Sequence, residues 1–270
     1  MDNPIAVCVD RNPFSSLDAL VEAVAQVGFA RVEWFEAGGE ETWSGAKTAP
    51  QLCALVKRHK LTPQYHGPYE APFDLSRDGE TLRPPQAIAT VISTILDRAQ
   101  RLGASLVTLH LGSCPPGAAR DAALGNVVAG IRLAMPELAR RRVRLALENH
   151  TQAIITDALG DQPGDFDRLM AELRSPWIGR TLDIGHAHIN NHLEEFLRQP
   201  FDRVFNIHLH DNLGAQDQHL PVGEGTIRWG AILPRIAREG YRGPLTFEFF
   251  AQPAAYQRAM AIVRGATPIA

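Results

Sequence analysis

Lysine is almost missing from this chain. Among 270 residues only Lys47, Lys57 and Lys60 carry an ammonium group, and acids outnumber bases to give a net charge of −3. A global basic field that would gather nucleic acid is therefore absent. Arginine supplies most of the positive charge. Its forks suit carboxylates and phosphates, although GC-rich coding produces the same bias and is the preferred explanation. Cysteine is equally scarce. Cys8, Cys53 and Cys114 are odd in number, far apart and outside any CxxC pattern, which excludes a disulfide framework and a thiolate zinc site and fits a reducing compartment. Cys114, in Ser-Cys-Pro-Pro-Gly, reads as an ordinary thiol rather than a nucleophile. No apolar run reaches spanning length, and the N-terminus has no basic region leading into an apolar one, so a cytoplasmic protein is expected. A glycine-rich phosphate loop is missing too: the first apolar run leads into Asp10-Arg11-Asn12-Pro13-Phe14. That disfavours a doubly wound dinucleotide-binding sheet.

What is present is regular alternation. Hydrophobic residues make up 45% of the chain, enough for a sizeable core. Strands are expected at Ile5–Asp10, Ala30–Phe35, Thr62–Gly67, Leu106–Leu111, Arg144–Asn149, Ile178–Ile184, Val204–His210 and Pro244–Phe249. Helical stretches fall between them, at Ser15–Val27, Ala49–Lys60, Pro85–Leu102, Ala118–Arg141, Gly164–Leu173, Asn190–Arg198, Trp229–Glu239 and Pro253–Val263. Strand–helix alternation means parallel βαβ units. Eight of them in this length make one (β/α)8 TIM barrel, a single α/β domain over residues 1–270.

Nine side chains able to ligate metal fall at or just after the expected strand ends: His66, His110, Glu148, Asp183, His186, His208, Asp217, His219 and Glu248. Active sites of such barrels form at the C-terminal ends of the strands. Imidazole and carboxylate suit zinc above all, with manganese, iron or cobalt as alternatives. Nine ligands exceed the needs of one ion, so two or three ions are expected. Asp217 and His219 are spaced to share a side in extended chain. His150, His188, His210, Asp211 and Tyr69 are candidates for substrate contact or for orienting a ligand, Asp211 through a bound imidazole. Trp34, Phe35 and Trp229 are equally readable as pocket walls or as core.

These residues resemble the xylose isomerase-like TIM barrels, the superfamily that holds endonuclease IV and many sugar isomerases and epimerases. The resemblance covers essentially the whole chain. Glu148 in Leu-Glu-Asn-His, Asp183 in Leu-Asp-Ile-Gly-His, His208 in His-Leu-His-Asp and Glu248 in Phe-Glu-Phe match the four-ligand core of both branches. His66, His110, His186, Asp217 and His219 match the extra ligands of the three-zinc branch. The stretch after the second strand departs from endonuclease IV. It reads Glu33-Trp34-Phe35-Glu36-Ala37-Gly38-Gly39, acidic and glycine-rich where that enzyme carries a DNA-opening segment. Tyr69 matches a DNA-inserting position, but similar strings occur in the sugar branch.

Two mechanisms follow. Two or three ions clamping a phosphate and activating water would hydrolyse a small phosphoester. A single ion holding adjacent carbonyl and hydroxyl oxygens, with Glu148 and Glu248 as catalytic bases, would isomerise or epimerise a sugar. The ligand count favours hydrolysis. A small-molecule substrate is expected over nucleic acid or a membrane, with cleavage at abasic DNA as a subcase. Nothing in the sequence marks the oligomeric state.

Overall fold

The computed structural model describes residues 2–37 and 41–265. Eight strands are those the alternation predicts: β1 (Ile5–Val9), β2 (Arg31–Phe35), β3 (Thr62–His66), β4 (Leu106–His110), β5 (Arg144–Glu148), β6 (Ile178–Asp183), β7 (Val204–Leu209) and β8 (Leu245–Phe247). They close into a barrel in the order β1-β8-β7-β6-β5-β4-β3-β2. Every neighbouring pair is parallel. The helices between them are α1 (Leu17–Val27), α2 (Thr48–Arg58), α3 (Pro85–Arg101), α4 (Arg120–Arg141), α5 (Pro163–Glu172), α6 (Ile184–Ile189), α7 (Leu193–Phe196), α8 (Trp229–Arg238) and α9 (Pro253–Val263).

Local chemistry accounts for the element ends. Ser16 caps α1 by accepting from the Ala19 N–H at 3.1 Å. Gly28 stops that helix at φ 98°, where a side chain would be strained. Pro85 opens α3, since a first-turn N–H has no helical partner to lose. Two expectations shift. The helix expected over Asn190–Arg198 is replaced by α6 and α7, because the Asp183 carboxylate accepts from the His186 N–H at 2.5 Å and starts a helix directly at the strand end. The eighth strand is shorter than expected, so Glu248 stands just beyond it.

Side chains alternate across each strand. The outward set (Val32, Trp34, Tyr65, Val107, Leu145, Ile207) is buried under the helices. The inward set is polar, where such barrels usually stack branched apolar side chains. Gln64 precedes His66, Thr108 precedes His110, Thr181 precedes Asp183, Asn206 precedes His208 and Thr246 precedes Glu248. Each deeper residue is fully buried, and they bond to Glu33 and to one another in a polar layer beneath the mouth.

Candidate metal centre

The inward stripe ends in four convergent donors. His208 Nδ1 lies 2.7 Å from Glu148 Oε1, 2.8 Å from Glu248 Oε2 and 3.8 Å from Asp183 Oδ2. These contacts lie off the axis of any ring N–H: all four atoms are buried, and none has a hydrogen-bond partner among the described residues. Buried polar atoms are ordinarily satisfied, and an orphaned set gathered this closely has the character of an ion site. Donors about 2.0–2.2 Å from a common cation stand roughly 3 Å apart, which these separations approach. The four residues fit a divalent ion.

Two groups flank this set. His66 Nε2 and His110 Nε2 approach Glu148 Oε2 at 3.0 and 3.3 Å. On the other side His186 Nε2 lies 3.5 Å and His219 Nε2 2.8 Å from Asp217 Oδ2. All nine expected ligands thus meet at the mouth. The flanking groups differ from the central one in an important respect. Both ring nitrogens of His66 have protein partners, Gly67 O and Glu148, and so do both of His219, which contact Asp217 and the Glu248 carbonyl. Orphaned atoms remain there on His110, His186, Asp217 and His210, which shares the second group. Asp217 and His219 do not share an extended segment as expected. His219 has φ 46°, and this left-handed turn folds its ring back onto Asp217.

The supporting candidates divide. His210 joins the cluster, 3.1 Å from Asp183 Oδ1 and stacked on His219 at 4.0 Å between centroids. His150 accepts the Thr151 N–H on Nδ1 at 2.8 Å, so its Nε2 carries the proton, buried and without acceptor, beside His110 at 4.2 Å. Tyr69 stacks on Phe35 and meets His110 and His150 edge-on. Phe35 packs on His66 at 4.5 Å and is a wall, whereas Trp34 and Trp229 are core. His188 falls outside the convergent groups and contacts Thr226 Oγ1 at 3.0 Å. Asp211 orients no ligand imidazole. It accepts from the N–H groups of Gly223 and Ile227 and from Trp229 Nε1, fixing the loop that carries Asp217 and His219.

Sequence reasoning missed Glu33 as a site residue. It is fully buried, with Oε2 accepting from Gln64 and Asn206 at 3.1 Å each and Oε1 2.8 Å from His208 Nε2. The available signal was a charge inside an otherwise apolar strand, Val-Glu-Trp-Phe. Glu36 is also internal, accepting from Trp43 N, Ser44 N and Oγ, Tyr65 OH and Arg98. Glu33 and Glu36, the acids of that stretch among the described residues, are therefore buried inside the barrel rather than exposed at a rim. Gly38 and Gly39 of that stretch lie outside the described residues. Cys8, also unforeseen, places its thiol 4.0 Å from Glu248 Oε1.

Charge is strongly coupled here. Burial opposes the Glu148 carboxylate, but His208, His110 and His66 outweigh it and hold the group well below the usual range. Asp183 is likewise held down to about 2, burial being overcome by His186 and His210. Burial works against a charged His219, yet Asp217 and Glu248 hold it up to about 9. Burial, with His186, pushes His150 down to about 3. Beside Glu248 and His219 a cavity of about 360 Å³ opens, walled by Phe35, Phe249 and Phe250.

A closed parallel barrel with imidazoles and carboxylates gathered at the C-terminal ends of its strands defines a TIM barrel with a metal-competent mouth. The chain belongs to the xylose isomerase-like TIM barrel family, whose model matches residues 21–266. It is 24% identical over 238 residues to the uncharacterized protein MJ1311 of Methanocaldococcus jannaschii, covering 86% of this chain and 79% of that one. Over 129 residues it is 34% identical to the uncharacterized protein y4fM of Sinorhizobium fredii, 45% of this chain and 40% of that one. Similar solved structures include a D-tagatose 3-epimerase-like protein (TM-score 0.79, 22% identity, 97% and 99% of the two chains). Another is the 3-keto-D-glucoside 4-epimerase YcjR of E. coli (TM-score 0.75, 18% identity, 98% and 100%). At these identities the structural likeness is one of fold. No helix among the described residues is long and apolar enough to cross a membrane.

Proposed function

We propose that this protein is a metal-dependent sugar isomerase or epimerase acting on a small keto-sugar. The observation that carries the reading is the central set of Glu148, Asp183, His208 and Glu248, whose unpartnered carboxylate atoms gather within 3.8 Å of the unpartnered His208 Nδ1 while much of the flanking donor capacity is already met within the protein. One ion at this set suffices for sugar chemistry, whereas the hydrolytic expectation drawn from the ligand count also needs the flanking groups, such as His186, His210, Asp217 and His219, to be filled. The epimerases among the similar structures agree with it. Three carboxylates to one imidazole form a harder set than zinc prefers and suit manganese. An ion bound there supplies Lewis-acid polarisation of a carbonyl and the neighbouring hydroxyl.

The chain does the rest. Glu148 and Glu248 both lie beside His208 Nδ1, at 2.7 and 2.8 Å, and act as the two carboxylates that address the substrate carbon, one on each face. One takes the proton from the carbon next to the carbonyl, and the other delivers a proton to the opposite face, which inverts that centre. Return to the neighbouring carbon gives isomerisation instead. Glu148 is held as the carboxylate, ready to act as base. His186 Nε2 and His150 Nε2, both buried without partners, hold substrate oxygens. The aromatic walls exclude water from the carbanion-like state, and the cavity volume admits a single sugar ring or chain.

The test is carbon-bound proton exchange. Incubated with manganese and a panel of ketoses in D2O, the protein should introduce deuterium beside the carbonyl, read by NMR. Glu148→Gln and Glu248→Gln should each slow exchange by about 10²–10⁴-fold. A second reading, hydrolysis of a small phosphoester, is favoured by the flanking groups His66/His110/Glu148 and His186/Asp217/His219, which provide places for further ions. Phosphate release from sugar phosphates without any deuterium exchange would decide for it.

A further inference from the structure

The opposite end of the barrel holds a second concavity, about 1210 Å³. It is formed where strands begin, by Arg31 of β2, Arg144 of β5 and the segment leading into β8. Five arginines line it, Arg31, Arg142, Arg144, Arg203 and Arg242, against two acids, Asp202 and Glu239. The chain as a whole carries −3, so this local excess of positive charge runs against the overall balance. Coding bias explains why arginine is frequent but not why these five cluster. Nor does it explain why none of them makes an ion pair among the described residues, when Arg98, Arg120 and Arg141 elsewhere are matched to carboxylates.

The basin is also pre-shaped. Arg203 donates from both ends of its guanidinium to the carbonyls of Leu173, at 2.7 Å, and Met170 at the end of α5, so it contributes charge to the basin rather than a free fork. Arg144 lies over the Phe205 ring at 5.1 Å. Arg31 is half-buried, and that burial depresses its guanidinium, a cost that a bound anion would remove. Arginine forks match phosphate oxygens two at a time. Several guanidinium groups around a bowl of this size suit more than one anionic group, and a half-open concavity of this volume takes a small molecule. Half-buried Trp177 on the wall offers a flat face for a base.

We propose that the N-terminal face of the barrel is a binding site for an oligophosphate, carried by a nucleoside polyphosphate or free. The site is separate from the mouth and does not depend on its chemistry. The experiment is equilibrium dialysis of the full chain, as purified, against ATP, inorganic tripolyphosphate and adenosine at low and high salt. One equivalent of ATP or tripolyphosphate is expected to bind, more weakly as salt rises. The double variant Arg144→Glu/Arg242→Glu, at two exposed positions, should weaken binding at least tenfold, and Asp183→Asn at the mouth should leave it unchanged. The neutral pair Arg144→Gln/Arg242→Gln replaces the first should charge reversal disturb folding. Tighter binding of ATP than of tripolyphosphate assigns the nucleoside to the wall of Trp177; equal binding assigns the phosphate chain alone. No binding at millimolar ligand, binding that survives both double variants, binding abolished by Asp183→Asn, or adenosine binding as well as ATP would each overturn the proposal.

Discussion

Glu33 illustrates how much of this site depends on residues that never reach its surface. Its Oε1 sits 2.8 Å from His208 Nε2, out of line for a hydrogen bond, and its Oε2 is held by two amides, so its charge stands fixed behind the imidazole whose Nδ1 faces the other donors. Carboxylates behind a metal-bound histidine commonly set its orientation. Glu33→Gln should therefore weaken metal binding by about 10–100-fold, measured by competition with a chromogenic chelator. Unchanged affinity would mean that packing alone orients His208. This residue was not legible beforehand because a buried charge in a strand announces itself only once its partners, Gln64 and Asn206 on two other strands, are known. That the nine candidate side chains gather at the mouth was legible because strand alternation and the barrel rule fix where strand-end side chains go.

The same residues dictate a pH response of the metal-free chain. His66, His186, His208 and His219 are raised by neighbouring carboxylates. Their contribution is complete below the unfolded value of about 6.5 and is lost as pH rises through the folded values, about 9 for His219. On the acid side, His110 and His150 are depressed, and stability falls below about 6.5. The carboxylate contribution, with Asp183 held down to about 2, fades below about 4. Melting temperature without metal should peak near pH 6.5 and fall towards pH 9. With metal the peak should move upward, because the ion replaces the bound protons. Melting curves with and without chelator check both signs.

At the scale of elements, the loop from Asp211 to Gly225 decides whether the outer group exists. Asp211 satisfies three backbone N–H groups, those of Asn212, Gly223 and Ile227, and the Trp229 indole, and a Cβ on Gly225 would come 2.2 Å from its carboxylate. Asp211→Ala leaves several buried donors unmatched at about 1–3 kcal/mol each. It should lower the melting temperature and free Asp217 and His219 while sparing the central set, visible as retained manganese affinity. Gly185 plays a similar part at the start of α6: a Cβ there would meet the His210 ring at 2.0 Å. Gly185→Ala should cost about 1–3 kcal/mol in chemical denaturation, and a neutral result would mean that His210 has room to move. The short helices α6 and α7 were misread as one later helix because the sequence pattern shows periodicity but not that Asp183 serves as strand end, ligand and helix cap together.

For the whole molecule, closure of the barrel brings donors from strands β3 to β7 and the loop after β8 to one end, so metal binding ties together segments from His66 to Glu248. An ion at a thousandfold excess over its dissociation constant adds about 4 kcal/mol, or roughly 8–16 °C in melting temperature for a chain of this size. The fold class and strand order of use followed from alternation and length alone. The relative weight of the three donor groups did not, because hydrogen-bond satisfaction is a property of the assembled mouth.

The most direct test of the account is the number of metal equivalents bound by the purified protein and by two variants, measured by elemental analysis. The account predicts close to one equivalent, kept in His219→Ala and lost in Asp183→Asn. Two or three equivalents, with His219→Ala and Asp183→Asn each removing one, would contradict the single central ion and turn the reading to phosphoester hydrolysis.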